Sequence, residues 1–79
     1  MKERNALTKA LHFVRVSRMR LEVYGKTYDV RDLNEYLGNV CREFTCQAAY
    51  AALALPHCPS ATDHDTLVYV EAELMKVAS

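Results

Sequence analysis

Five side chains that could ligate a metal or act as nucleophiles fall in one span: Cys41, Cys46, His57, Cys58 and His64. Zinc takes such donors as a tetrahedral set. Familiar sites deliver them through C-x-x-C or H-x₃₋₅-H spacings, in which one turn presents two ligands. Neither spacing occurs here. Cys41 also falls on the apolar stripe of an expected helix, where a free cysteine behaves as a small hydrophobe. On an uninterrupted helix Cys41 and Cys46 point about 140° apart, at about 3.6 residues per turn. No metal site and no cofactor are expected.

Nucleophilic catalysis fares no better. Cys58 stands next to His57, but adjacent loop side chains diverge, and a nucleophile needs a positioned base and a third orienting group. The sequence has no G-x-S-x-G, no Walker loop and no dinucleotide fingerprint. Its two glycines, Gly25 and Gly38, cannot build a phosphate cradle. Asp63, His64 and Asp65 read as the polar start of the last element. The expectation is a non-catalytic protein without a small-molecule substrate.

Binding chemistry is better represented. Arg18, Arg20, Glu22 and Tyr24 alternate with Met19, Leu21 and Val23. On a strand that pattern gives one apolar face and one basic, aromatic face. With Arg15 and Lys26 nearby, Arg15, Arg18, Arg20, Tyr24 and Lys26 form a candidate contact for nucleic acid or an acidic partner. Glu22 lies within that patch. The alternative is a solvated face, or charge pairing with Glu71 and Glu73 on a neighbouring element.

A second candidate surface is the run TCQAAYAALAL at residues 45–55, which holds no charge. A helix that is apolar all round needs cover on every side. A three-stranded sheet covers only one. The expectation is that Ala48, Ala49, Ala51, Ala52 and Leu55 meet a second copy or a partner. The plainer reading is an alanine-rich helix that stays partly wet, since small side chains expose little apolar surface.

These groups need elements to hold them. Leu7, Ala10, Leu11 and Val14 suit an amphipathic helix over residues 3–14, with Lys2, Arg4 and Lys9 on other sides, although His12 to Val16 could open a strand. Met19 to Val23 and Tyr28 to Val30 read as two strands, with Tyr24 to Thr27 as the hairpin tip at Gly25. Asp29 or Asp32 can cap the next helix, and Asp32 with Glu35 resembles a capping box. Leu33, Tyr36, Leu37, Val40, Cys41 and Phe44 repeat at helical spacing, and Pro56 stops the alanine-rich continuation. Residues 33–55 fit one helix or two. At the C-terminus Val68, Val70, Ala72 and Leu74 alternate as a strand would, while Leu67, Val70, Leu74 and Val77 fit a helix. The β-branched and aromatic VYV run favours the strand. The assembled expectation is an α+β fold. A small antiparallel sheet, made of the hairpin and a C-terminal strand, packs on one long or broken helix, with a possible N-terminal helix.

Seventy-nine residues make one domain, 1–79, and 51% hydrophobic with 25% charged is a globular balance. The formal net charge is zero, yet residues 1–31 carry eight basic and three acidic side chains, and residues 32–79 carry two and seven. Such bipolarity suits a charged partner or head-to-tail docking of copies, unless folding intermixes the two sets. Three cysteines without an export signal point to a reducing compartment and a cytoplasmic location. No stretch reaches the ~20 apolar residues of a membrane helix. The resulting functional expectation is a dimeric protein–protein interaction module. Inhibitors and adaptors of this size, including those carried by phages and mobile elements, need only a scaffold and a patterned surface. The alternative is a small nucleic-acid-binding or regulatory protein.

Overall fold

A computed structural model describes the backbone of residues 2–44 and 46–78, and their side chains apart from residues 2–5 and 44. The expected placements of Lys2, Arg4, Phe44 and Thr45 lie outside that described set. Among the described residues four helices follow in order: α1 Lys2–Tyr24, α2 Arg31–Phe44, α3 Gln47–Leu53 and α4 His64–Ala78. A single 3₁₀ turn, Ala61–Asp63, leads into α4. Among the described residues there is no strand, and the α+β expectation with its antiparallel sheet is corrected to an all-helical bundle.

The first expected strand is the second half of α1. Its buried residues are Ala6, Leu7, Ala10, Val14, Ser17 and Leu21, a three-and-four-residue rhythm that makes one helical stripe. Ser17 hides this rhythm, because a hydroxyl occupies a core position. Without it, Met19, Leu21 and Val23 look like an alternating strand. Only Leu21 of those three is buried. The 23 residues of α1 rise about 34 Å at about 1.5 Å each. That equals the 34 Å long dimension of the molecule.

The expected hairpin tip is instead a helix end. Gly25 adopts φ 74°, the left-handed region, and its N–H donates to Leu21 C=O at 2.9 Å. That single bond is the left-handed helix cap for which glycine is the natural residue. Asp29 then leads into α2: its Oδ1 accepts from the Arg31 N–H at 2.9 Å, an Asx turn just before Val30, whose C=O accepts from the Asn34 N–H at 2.9 Å. The strand expected at Tyr28–Val30 is thus the connection and cap.

The stripe expected for α2 is present. Leu33, Leu37, Val40 and Cys41 are buried. The helix is broken rather than continuous. Cys46 takes an extended conformation, φ −89° and ψ 109°, and stands at the N-cap of α3. The expected C-terminal strand is α4, where Leu67, Val70 and Leu74 are buried and Val68 is not. Ser60 opens this segment: its N–H donates to Asp63 Oδ2 at 2.8 Å in a capping box.

Packing runs around the bundle, α1 against α2 and α4, and α3 against the same two. The two connections at one end are clasped together. Val30 N–H donates to His57 C=O at 2.8 Å, and Thr27 N–H to Pro59 C=O at 3.1 Å. Lys26 and Ser60 form an isolated antiparallel bridge there. These bonds satisfy backbone groups that the helices leave unpaired and fix how α1 ends relative to α4.

Candidate interaction surface

Ala48, Ala49 and Ala52 are buried inside this chain, while Ala51 and Leu55 are half-buried. The helices α2 and α4 supply the cover that a sheet could not. Alanine permits this, since a side chain of one methyl lets neighbouring backbones come close. The premise that 79 residues cannot shelter residues 46–55 therefore does not hold.

The basic candidates separate into two groups. Arg15 and Arg18 face α4, where their Nε atoms lie 2.8 and 3.0 Å from the two oxygens of Glu71. Arg18 also reaches Glu22 at 2.9 Å, and Glu22 lies 3.0 Å from His64 Nε2. An ion-pair row thus runs along the α1–α4 seam. Pairing with Glu71 was one of the alternatives the sequence allowed. It arises between helices rather than strands, while Glu73 pairs with Lys76 at 3.1 Å. Burial works against the Arg18 charge, but Glu22 and Glu71 hold its pKa above the ordinary arginine value. Arg20 takes a different course and lies over the Tyr28 ring, 5.2 Å from its centroid. Tyr24 and Lys26 are exposed.

This row has a pH signature. The hydrogen bond from His64, then that from Arg18, holds the Glu22 carboxyl below its ordinary 4.5. The Arg31 backbone N–H, helped by its guanidinium, holds Asp29 below 3.8. A carboxyl with a lowered folded-state pKa binds fewer protons folded than unfolded across that window. Its stabilisation is present above the unfolded value and fades as pH falls through the folded one. Thermal melts between neutral pH and pH ~3 are expected to show a steeper acid decline in wild type than in Glu22→Gln. The difference should be modest and shrink with salt, because the pair is solvated. Identical acid limbs would remove Glu22 from the stabilising row.

The thiols and imidazoles do not converge. Cys41 and Cys46 are buried and Cys58 is exposed. Because the helix breaks before Cys46, the angular separation expected for a continuous helix does not apply. Cys41 Sγ lies 3.9 Å from Cys46 C=O. Burial, then the nearby Cys46, pushes the Cys41 thiol up, with Tyr50 partly opposing this. A raised thiol pKa means little thiolate and low nucleophilicity. Asp63 and His64 begin the last helical segment, as their position suggested. Among the described residues no three His, Cys, Asp or Glu side chains gather as a metal site.

On the outer side of α1, Met19 and Val23, expected to face the core, lie exposed beside Arg20 and Tyr24 of the expected contact. Met19 is 54% exposed, Val23 70% and Tyr24 71%. With Val16 and Arg20 they line a shallow groove of about 270 Å³. The signal was available in the spacing. His12, Val16, Met19 and Val23 repeat at four, three and four residues, a second stripe interleaved with the buried one. Assigning Met19 and Val23 to a strand's inner face concealed it. Comparison with protein-family models, curated proteins and solved structures found no match to this chain.

Proposed function

We propose that this chain is a non-catalytic protein–protein interaction module, an inhibitor or adaptor, that engages another protein surface through the outer side of α1. The observation that supports this is the exposed apolar ladder of Met19, Val23 and Tyr24 beside Arg20. Contiguous exposed apolar side chains at a groove mark interaction sites more often than scattered ones do. Aromatic, methionine and arginine side chains are also the types enriched at interfaces. Protein is favoured over nucleic acid because Glu71 and Glu22 lie among Arg15 and Arg18 and offset the positive charge that a run of phosphates needs. Among the described residues no helix is long and apolar enough to cross a membrane. Three cysteines, an odd number, support action in a reducing, cytoplasmic setting.

Site-specific photo-crosslinking in the native host tests the reading. A photoreactive residue at Val23 is expected to give a discrete protein adduct. The same residue at Glu35, exposed on the outer side of α2, is expected to give none. No adduct at Val23, or the same adduct at both positions, would overturn the assignment.

A further inference from the structure

We infer that the outer stripe of α1 pairs with the same stripe of a second copy, as an antiparallel two-helix seam with a two-fold axis between Ser17 and Arg18. The inference rests on the interaction-module reading and names its partner.

The stripe has the spacing of a coiled-coil seam. His12, Val16, Met19 and Val23 occupy successive a and d positions, and His12, Met19 and Val23 are exposed. A two-fold axis between Ser17 and Arg18 sets Val16 opposite Met19 of the second copy, and His12 opposite its Val23. Each layer then matches a smaller side chain with a longer one, twice, by symmetry.

The flanking charges choose the direction. In the antiparallel seam Arg15 falls beside Glu22 of the second copy, and Glu22 beside its Arg15, so both flanking pairs are attractive. A parallel seam would set Arg15 against the second copy's Arg20, which repels. The side chains of Arg15 and Glu22 remain 46% and 43% exposed despite their bonds within the chain. They can therefore bridge across without giving those bonds up. Opposite charges of this kind fix partner and orientation more than they add affinity. A two-fold pairing of one patch with itself closes at two copies and does not polymerise.

Sedimentation equilibrium on the full chain, from micromolar to millimolar, is the first test. Wild type is expected to approach twice its 9.0 kDa. Met19→Glu places a carboxylate in two symmetry-related layers and should weaken self-association about 30-fold or more. Val23→Glu, at a still more exposed position, is the parallel variant, and circular dichroism checks that each keeps its helix content. The decisive arm mixes two charge variants. Arg15→Glu and Glu22→Arg each repel their own kind across the seam. Together they restore both attractive pairs, so the mixture should form a heterodimer stronger than either homodimer. A wild type that stays at 9.0 kDa at millimolar concentration would overturn the proposal. So would Met19→Glu and Val23→Glu variants that dimerise like wild type, or a mixture that does not pair. A monomer whose Val23 photo-adduct is a different protein would leave the interaction-module reading standing while self-pairing fails.

Discussion

Ala49→Glu is expected to abolish cooperative thermal unfolding of this chain, leaving a broad, non-native circular dichroism signal at room temperature. Ala49 is 0% exposed. A glutamate there either buries an unpaired carboxylate, at a cost of several kcal/mol, or prises α3 away from its neighbours. Added volume in a packed site costs about 1–3 kcal/mol more. A chain of 79 residues has roughly 4–12 kcal/mol of total stability at the usual ~0.05–0.15 kcal/mol per residue. One substitution thus consumes much of the total. The helix it strikes cannot hold alone, since its seven residues fall short of the ~12–15 that isolated helices need. Ala51→Glu is the control: half-buried, on the same helix, and expected to lose under about 1 kcal/mol. The contrast also separates two roles for this segment. Were it an intermolecular surface, Ala49→Glu would give a folded monomer. As part of the chain's own core, it gives an unfolded one.

The same residues show how far the sequence could be read. The stripe of Leu33, Leu37, Val40 and Cys41 is legible because all four positions fit one period and no other. Pro56 stops the alanine-rich segment as expected, within a few residues of Leu53, where α3 ends. The errors fall where two periods share positions. Val70 and Leu74 belong to the strand pattern and to the helix pattern alike. The neighbours Val68 and Tyr69 tilt propensity toward a strand, but burying Leu67 as well decides for the helix. In α1 a single hydroxyl at Ser17 breaks the apolar rhythm, and the outward Met19 and Val23 imitate an inward face. Gly25 was recognisable as a chain break. Whether it reverses a hairpin or ends a helix depends on the preceding twenty residues, not on the glycine.

The same elements decide where exposed apolar surface lies. With α4 taken as a strand, the sheet and a possible N-terminal helix leave much of residues 46–55 uncovered, and the uncovered surface falls on α3. With α4 restored, α3 is sheltered, and the exposed apolar surface is found on α1. The arginines follow the same logic. Arg15 and Arg18 look like a free basic face only until α4 sets Glu71 between them. Buried and exposed apolar residues then occupy separate sides of one helix. The inner stripe through Val14 and Leu21 holds the bundle. The outer one through Met19 and Val23 is exposed, so substitutions there should leave the bundle folded.

Neighbouring valines on α4 put the helical assignment to its sharpest test. A strand would place Val68 and Val70 on one face, and aspartate at either would do equal harm. The helix separates them, with Val70 at 0% and Val68 at 41% exposure. Val70→Asp should therefore unfold the protein, because the carboxylate would sit among Leu67, Leu74 and the other buried apolar residues of the core. Several kcal/mol of desolvation again approaches the total stability of so short a chain. Val68→Asp should shift stability by no more than about 1 kcal/mol. Thermal melts of the two variants under identical conditions decide the matter. Equal destabilisation would mean that the period-two face exists and that α4 is not the helix described. A folded Val70→Asp would mean that α4 does not close the core, and the shelter of Ala48, Ala49 and Ala52 would have to come from another copy after all.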